Sequence, residues 1–206
     1  MWTFAVPQLL LASDSPRRLE LLRQQMIPVE KLSLPKQAED EPRNPGESVI
    51  DYVTRTSADK NRRAQQLIRH EMPFLADLPI LSGDTTVALG QTILGKPEND
   101  QHAAQILRQL SGRTHDVFSA VTLHWNGLTK TTLSHTLVTF EPLTEMEIQA
   151  YIASGDHLGK AGAYGIQGFA AGWVKRLEGS YSGVVGLPLH ETICLLKEFK
   201  LLLPKV

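Results

Sequence analysis

Two long runs rich in β-branched and aromatic residues, Thr114 to Trp125 and Leu128 to Phe140, are separated only by Asn126-Gly127. Asn-Gly supplies the two left-handed backbone positions of a tight turn, so the runs predict a long antiparallel hairpin that any fold of this chain has to accommodate. Upstream, Pro79-Ile80-Leu81-Ser82 and Thr85 to Leu89 read as strand on both sides of Asp84, and Gly90-Gln91 turns the chain into a short strand from Thr92 to Leu94. Ile27 to Leu34 is a further extended segment, and the last helix runs from Leu187 to Phe199.

Helical periodicity surrounds these strands. A first helix runs from Pro16 to about Gln25, and a polar one from Glu47 to Arg69 with Val49, Tyr52, Val53, Ala64, Leu67 and Ile68 as its stripe. Asp100 is placed to cap a helix ending at Leu110, and Thr144-Glu145-Met146-Glu147 is a capping box ahead of a helix to Ala153. Helices mixed with antiparallel strands and a few crossovers predict an α/β (mixed α+β) architecture.

With 206 residues, 42% of them hydrophobic, the chain has material for one sizeable core, and a single domain spanning 1–206 is expected. The formal net charge of −1 leaves no global field to draw it to nucleic acid or an anionic membrane, so recognition of any phosphate has to be local. The single Cys194 lies in Ile193-Cys194-Leu195-Leu196, a setting that predicts a buried thiol and a reducing compartment. No apolar run approaches the ~18 residues of a membrane span, and a soluble, cytoplasmic protein is expected.

Ser13-Asp14-Ser15-Pro16-Arg17-Arg18 follows the apolar run Leu9 to Ala12. Ser15 suits the N-cap and Pro16 the first helical position, so a helix would start here with free N–H groups beside two guanidiniums, an arrangement suited to phosphate. A capped surface helix with solvated arginines explains the same residues. Asp84 interrupts an apolar run and must be hydrogen-bonded, metal-bound or set in a cleft, since burying it unpaired would cost several kcal/mol. A strand-end Asp facing phosphate is suited to act as general base or metal ligand; an Asp closing a turn beside Gly83 is the plainer reading.

Gly95-Lys96-Pro97 presents a point charge after a short strand, although no Walker A pattern occurs anywhere. Glycine is frequent from Gly155 to Gly186, where Tyr164-Gly165-Ile166-Gln167-Gly168 would let backbone approach a ligand and an amide read the edge of a base. Glu39-Asp40-Glu41 could serve a divalent ion or be merely solvated. The histidines lack zinc-ligand spacing, and no Gly-x-Ser-x-Gly elbow is present.

Together with Leu110-Ser111-Gly112-Arg113-Thr114-His115, Lys160-Ala161-Gly162-Ala163 and Val185-Gly186-Leu187-Pro188-Leu189, these motifs make the chain resemble the Maf family over nearly its whole length. Members of that family are nucleoside triphosphate pyrophosphatases, historically called septum formation proteins. The resemblance implies a mixed sheet in two lobes around a central cleft, similar to inosine triphosphate pyrophosphatase, and a homodimer. It implies a divalent cation, Mg2+ or Mn2+, and water attacking the α-phosphorus of a nucleoside triphosphate.

Carried over by position, Asp84 matches the proton acceptor, and Arg17, Thr85 and Gln167 match the positions that distinguish substrates. Ser13, Arg18, Lys60 and Lys96 match the phosphate cleft, while Glu41, with Asp84, matches the acidic metal positions. Asp84-Thr85 with Tyr164-Gly165-Ile166-Gln167-Gly168 resembles the branch acting on dTTP and UTP rather than the 7-methyl-GTP branch. Two departures stand out: Gly83 where the family usually has Ala, and Asn61 where Ala usually follows the Lys60 position. A nucleotide-sensing regulator of septum formation that does not hydrolyse its ligand is the alternative from another class.

Overall fold

The computed structural model describes residues 2–35 and 42–204. The acidic run ending at Glu41 lies outside the described residues. The chain opens with β1 (Trp2–Phe4) and the wholly buried β2 (Leu9–Ala12), then α1 (Pro16–Gln24), β3 (Val29–Lys31) and the long α2 (Val49–Glu71). Next come β4 (Ile80–Leu89), β5 (Thr92–Leu94), α3 (Asp100–Leu110), and the hairpin of β6 (Thr114–Trp125) and β7 (Leu128–Phe140). Asn126 and Gly127 adopt φ of 49° and 76°, the two left-handed positions that the turn requires. The chain ends with α4 (Glu145–Ala153), β8 (Val174–Glu178), α5 (Tyr181–Val185), α6 (Leu189–Glu198) and β9 (Leu202–Pro204).

Among the described residues seven strands form one mixed sheet in the order β3-β2-β4-β6-β7-β8, with β5 joined to β4, while β1 and β9 make a separate antiparallel ribbon. The pairs β2–β3 and β2–β4 are parallel, and the remaining pairs in the sheet are antiparallel. Because successive strand residues point to opposite faces, Leu9, Leu11, Leu81, Val87, Val117 and Val121 enter the larger core, which α3 fills with Ile106, Leu107 and Leu110. Leu10, Ala12, Ile80, Ala88 and Ala120 face the other way, where α2 covers them with Val49, Val53, Ala64 and Ile68.

Several local expectations shift. Asn99, not Asp100, caps α3, its side chain accepting from the His102 amide at 2.8 Å. Cys194 is exposed, because Thr192, Leu195 and Leu196 take the buried phase of α6 and leave position 194 outside. The extended segment after α1 is shorter than expected, and the last helix begins two residues later, after the short α5. No helix among the described residues is long and apolar enough to cross a membrane.

Candidate active site

The site follows from a gap in the pairing of β4. On one edge β4 pairs with β6 from Ile80 to Ala88. On the other, β2 pairs with Ile80 to Ser82 and β5 with Val87 to Leu89, so residues 83–86 have no strand partner there among the described residues. A break in pairing beyond the carboxyl end of a parallel strand is the kind of position where α/β sheets take ligands. Asp84 and Thr85 lie in this break, both partly buried.

One flank is the turn from β2 into α1. Ser13 closes it, its amide bonded to the Leu11 carbonyl at 2.9 Å and its hydroxyl accepting the Ser15 amide at 3.2 Å. Ser15 holds the N-cap position and Pro16 follows it, but the Ser15 hydroxyl makes no capping bond. The first-turn N–H groups of α1 are thus not blocked by a side-chain cap. The other flank is the loop leaving β5, with Lys96 exposed two residues beyond Leu94, the partner of Val87.

Asp84 points toward α2. Its Oδ2 accepts the Thr56 hydroxyl at 2.8 Å and its Oδ1 is paired with Lys60 Nζ. Thr56 and Lys60 lie one helical turn apart, so α2 presents both to the same carboxylate. The helix is docked by polar bonds. Asn61 Nδ2 donates to the carbonyls of Ile80 and Thr122 at 3.0 and 3.1 Å, and the Ser82 hydroxyl donates to the Ser57 carbonyl at 2.8 Å. Asn61, one of the two departures from the usual pattern, therefore bolts α2 to the sheet beside Lys60.

Thr85 points to the opposite face. The Ser119 hydroxyl donates to the Gly183 carbonyl at 2.6 Å, so at 2.9 Å Thr85 donates to Ser119. The Thr85 oxygen is then free to accept Arg18 Nη2 at 3.3 Å. Arg18 also donates from Nε to the Gly186 carbonyl at 2.7 Å and from Nη1 to Ser13 Oγ at 3.0 Å. The guanidinium thus ties the amino-terminal turn, β4 and the segment after α5 together, with one N–H still left on each Nη for a ligand. Burial pulls the Arg18 pKa below its ordinary value, Asp84 pushes it back up, and Arg17 lowers it. Arg17 donates from Nε to the Val185 carbonyl at 3.3 Å. At Gly83, the second departure, a Cβ would lie 3.2 Å from the Ala120 carbonyl and 3.4 Å from Arg18 Nε, so glycine leaves Arg18 its room.

Gln167 is exposed on the glycine-rich segment. That segment is fastened to the Lys96 loop, the Gly162 amide donating to the Gly95 carbonyl at 3.1 Å, and to the core, Tyr164 Oη lying 2.9 Å from His115 Nε2. The structure therefore joins Asp84 to Lys60, joins Thr85 to Arg18 and Ser13, and sets the Lys96 loop against the segment that carries Gln167. Sequence reading missed Thr56 and Ser119 and gave Asn61 no role. The available signal was a helical phase: Val49, Val53, Thr56, Ser57, Asn61, Ala64 and Ile68 are the buried residues of α2, and its polar middle marks the bonded stretch.

Among the described residues no three His, Cys, Asp or Glu groups converge to hold a metal ion. Asp84 offers hard carboxylate oxygens, each retaining a lone pair beyond its present bond. That fits an ion such as Mg2+, which needs one or two carboxylates and takes its other ligands from phosphate and water.

The family model for Maf-like protein matches residues 8–199. A dTTP/UTP pyrophosphatase of Cupriavidus metallidurans is 51% identical over 194 residues, covering 92% of this chain and 96% of that protein. The dTTP/UTP pyrophosphatase of Bordetella parapertussis is 46% identical over 199 residues, covering 96% and 95%. Among solved structures, the Ham1 protein of Staphylococcus aureus overlaps with a TM-score of 0.43 at 9% identity, covering 65% of this chain and 71% of that one. The chain belongs to the Maf family of Maf-like proteins.

Proposed function

We propose that this protein hydrolyses dTTP and UTP to the nucleoside monophosphate and pyrophosphate, acting as one domain whose two lobes flank the β4 crevice. One observation carries the reading: Asp84 and Thr85 meet Lys60 and Arg18 where β4 lacks a partner strand. A carboxylate bordered by cations is the arrangement needed to hold a triphosphate and activate water beside it. The names of the relatives at 46–51% identity support the substrate pair.

Asp84 orients the water and takes its proton as the water oxygen bonds to the α-phosphorus and the α–β bridging bond breaks. Pyrophosphate leaves with the electron pair. Lys60 and Thr56 fix the carboxylate, and Ser13, Arg17, Arg18, Lys96 and the amides opening α1 bind phosphate oxygens. Gln167 reads the pyrimidine edge, whose N3–H and carbonyl groups a terminal amide can satisfy together, and Thr85 holds Arg18 in register. Asp84 and, by the family resemblance, Glu41 would hold a divalent cation, Mg2+ or Mn2+, which would supply neutralisation of charge on the phosphoryl oxygens. We further propose that the protein works as a cytoplasmic homodimer, binding neither nucleic acid nor membrane, and limits incorporation of non-standard nucleotides.

A panel of UTP, dTTP, CTP and 7-methyl-GTP, each with and without Mg2+ or Mn2+, tests the reading through pyrophosphate release. Cation-dependent turnover of UTP and dTTP above the others is expected. Preference for 7-methyl-GTP would overturn the substrate assignment, and tight binding without product would favour a sensor.

A further inference from the structure

Gln167 is solvent-exposed in a segment dense with glycine, yet its backbone is held firmly from beneath. Ile166 and Tyr164 are buried in the core, so residues alternate between anchoring inward and facing out. Below Gly165 and Gly168 lies a polar cluster that the catalytic reading does not use. Lys160 Nζ donates to Asp156 Oδ1 at 3.0 Å and to the Asp156 carbonyl. Tyr151 Oη donates to Asp156 Oδ2 at 3.0 Å and accepts the Gly165 amide at 3.2 Å. The Gly168 amide donates to the Gly165 carbonyl at 3.1 Å, closing the turn around Gln167.

The approach is close, and a side chain at either glycine would press on this pair. A Cβ at Gly165 would lie 2.7 Å from Lys160 Cε, and one at Gly168 would overlap Asp156 Oδ2. Both glycines rest on the two halves of one ion pair, whose side chains are 16% and 32% exposed for Lys160 and Asp156. The neighbouring His157, 2% exposed, reaches Asp100 Oδ1 at the start of α3 at 3.1 Å, which secures the far side of the same segment.

A mostly buried ion pair is a weak source of stability, since an apolar pair of similar volume is often neutral or better. Its geometric content is greater. The pair fixes the height and tilt of the Gln167 turn, and the Gly162–Gly95 bond refers that turn to the Lys96 loop.

We propose that Asp156, Lys160 and Tyr151 are positioning residues that set the pyrimidine-reading turn at a fixed distance from the phosphate crevice, and so determine base selectivity. This rests on the base-reading role given to Gln167. Removing the cluster lets the turn shift, and displacement of a binding group by ~1 Å is enough to weaken recognition tenfold or more.

The test compares Gln167→Ala, Lys160→Met and Asp156→Asn for kcat and KM on UTP and CTP, inhibition by inorganic tripolyphosphate, and thermal midpoint. For Lys160→Met and Asp156→Asn, KM for UTP should rise about tenfold with kcat changed much less, and preference for UTP over CTP should fall toward that of Gln167→Ala. Inhibition by tripolyphosphate, which has no base, should be unchanged. Unmoved KM and selectivity in both variants, with Gln167→Ala affected, would overturn the positioning role and leave the base reader standing. Selectivity unmoved in Gln167→Ala would overturn the base reader itself. Weakened tripolyphosphate inhibition in Lys160→Met would make Lys160 a phosphate ligand and also overturn the proposal. If Lys160→Met fails to fold, Tyr151→Phe, which keeps the ring and removes only the bridging hydroxyl, is read against the same criteria.

Discussion

The Gly162 amide donates to the Gly95 carbonyl at 3.1 Å, joining the strand-end loop of Lys96 to a segment almost seventy residues away. The bond ties the loop that carries Lys96 directly to the segment that carries Gln167.

Lys96→Ala should raise KM for UTP and the inhibition constant for pyrophosphate by about ten- to a hundredfold, the range of one lost charge-assisted hydrogen bond of ~1.5–3 kcal/mol. The thermal midpoint should hardly move, because Lys96 is exposed. Steady-state kinetics beside a melting curve checks both parts.

Thr56→Val keeps the shape of a buried residue and deletes the hydroxyl bonded to Asp84 Oδ2. With one of its two protein partners gone, the carboxylate loses orientation, and kcat should fall roughly tenfold at near-constant KM. Equal losses in binding and turnover would instead point to a disturbed α2. Asp84→Asn should cost about 10²–10⁴ in kcat while nucleotide binding, followed by calorimetry, persists.

Arg18→Met should be among the most damaging single changes. It leaves Ser13, Thr85 and the Gly186 carbonyl without their shared donor and unlinks three parts of the chain. A loss of about 2–4 kcal/mol in urea unfolding is expected, together with loss of turnover. Gly83→Ala, which presses on Arg18 Nε and the Ala120 carbonyl, should cost far less.

Stability should also respond to mild acid. Burial pulls the His115 pKa down to about 4, with Asp116 opposing, so the folded protein holds this ring neutral while the unfolded chain protonates it near 6.5. The unfolded state then binds the extra proton between those values. His115's contribution is complete above about pH 6.5 and is lost as pH falls toward 4, amounting to on the order of 3 kcal/mol. Glu47 and Glu145, each held down to about 2 chiefly by hydrogen bonds to Arg55 and Arg108, act in a lower window, below about pH 4.5. Urea unfolding from pH 7.5 to 4.5 should show the slope, and His115→Gln should flatten it.

Local chemistry made much of the fold legible. Asn126-Gly127 gave the hairpin with both strand lengths, and Thr144 with Glu147 gave the start of α4, because each signal is complete within a few residues. Cys194 was misread for the converse reason: apolar neighbours reveal composition, whereas helical phase decides which of them faces the core. The polar inner stripe of α2 was invisible because its acceptors, the carbonyls of Ile80 and Thr122, belong to strands that only the folded sheet brings under the helix. Asp84 was identifiable as an acidic interruption in a strand. Lys60 was named through the family resemblance, but its pairing with Asp84, and Thr56 altogether, emerged only once helix and strand were docked.

The unpaired stretch of β4 carries one more consequence. Exposed strand edges invite other chains to add on and are a standing aggregation hazard. Here the bare stretch spans only residues 83–86 and is bracketed by β2 and β5. A foreign polypeptide would find no length along which to zip up. The sheet thus keeps a break in its pairing without presenting a sticky border, because Gly83 and Thr86 within the break are themselves buried.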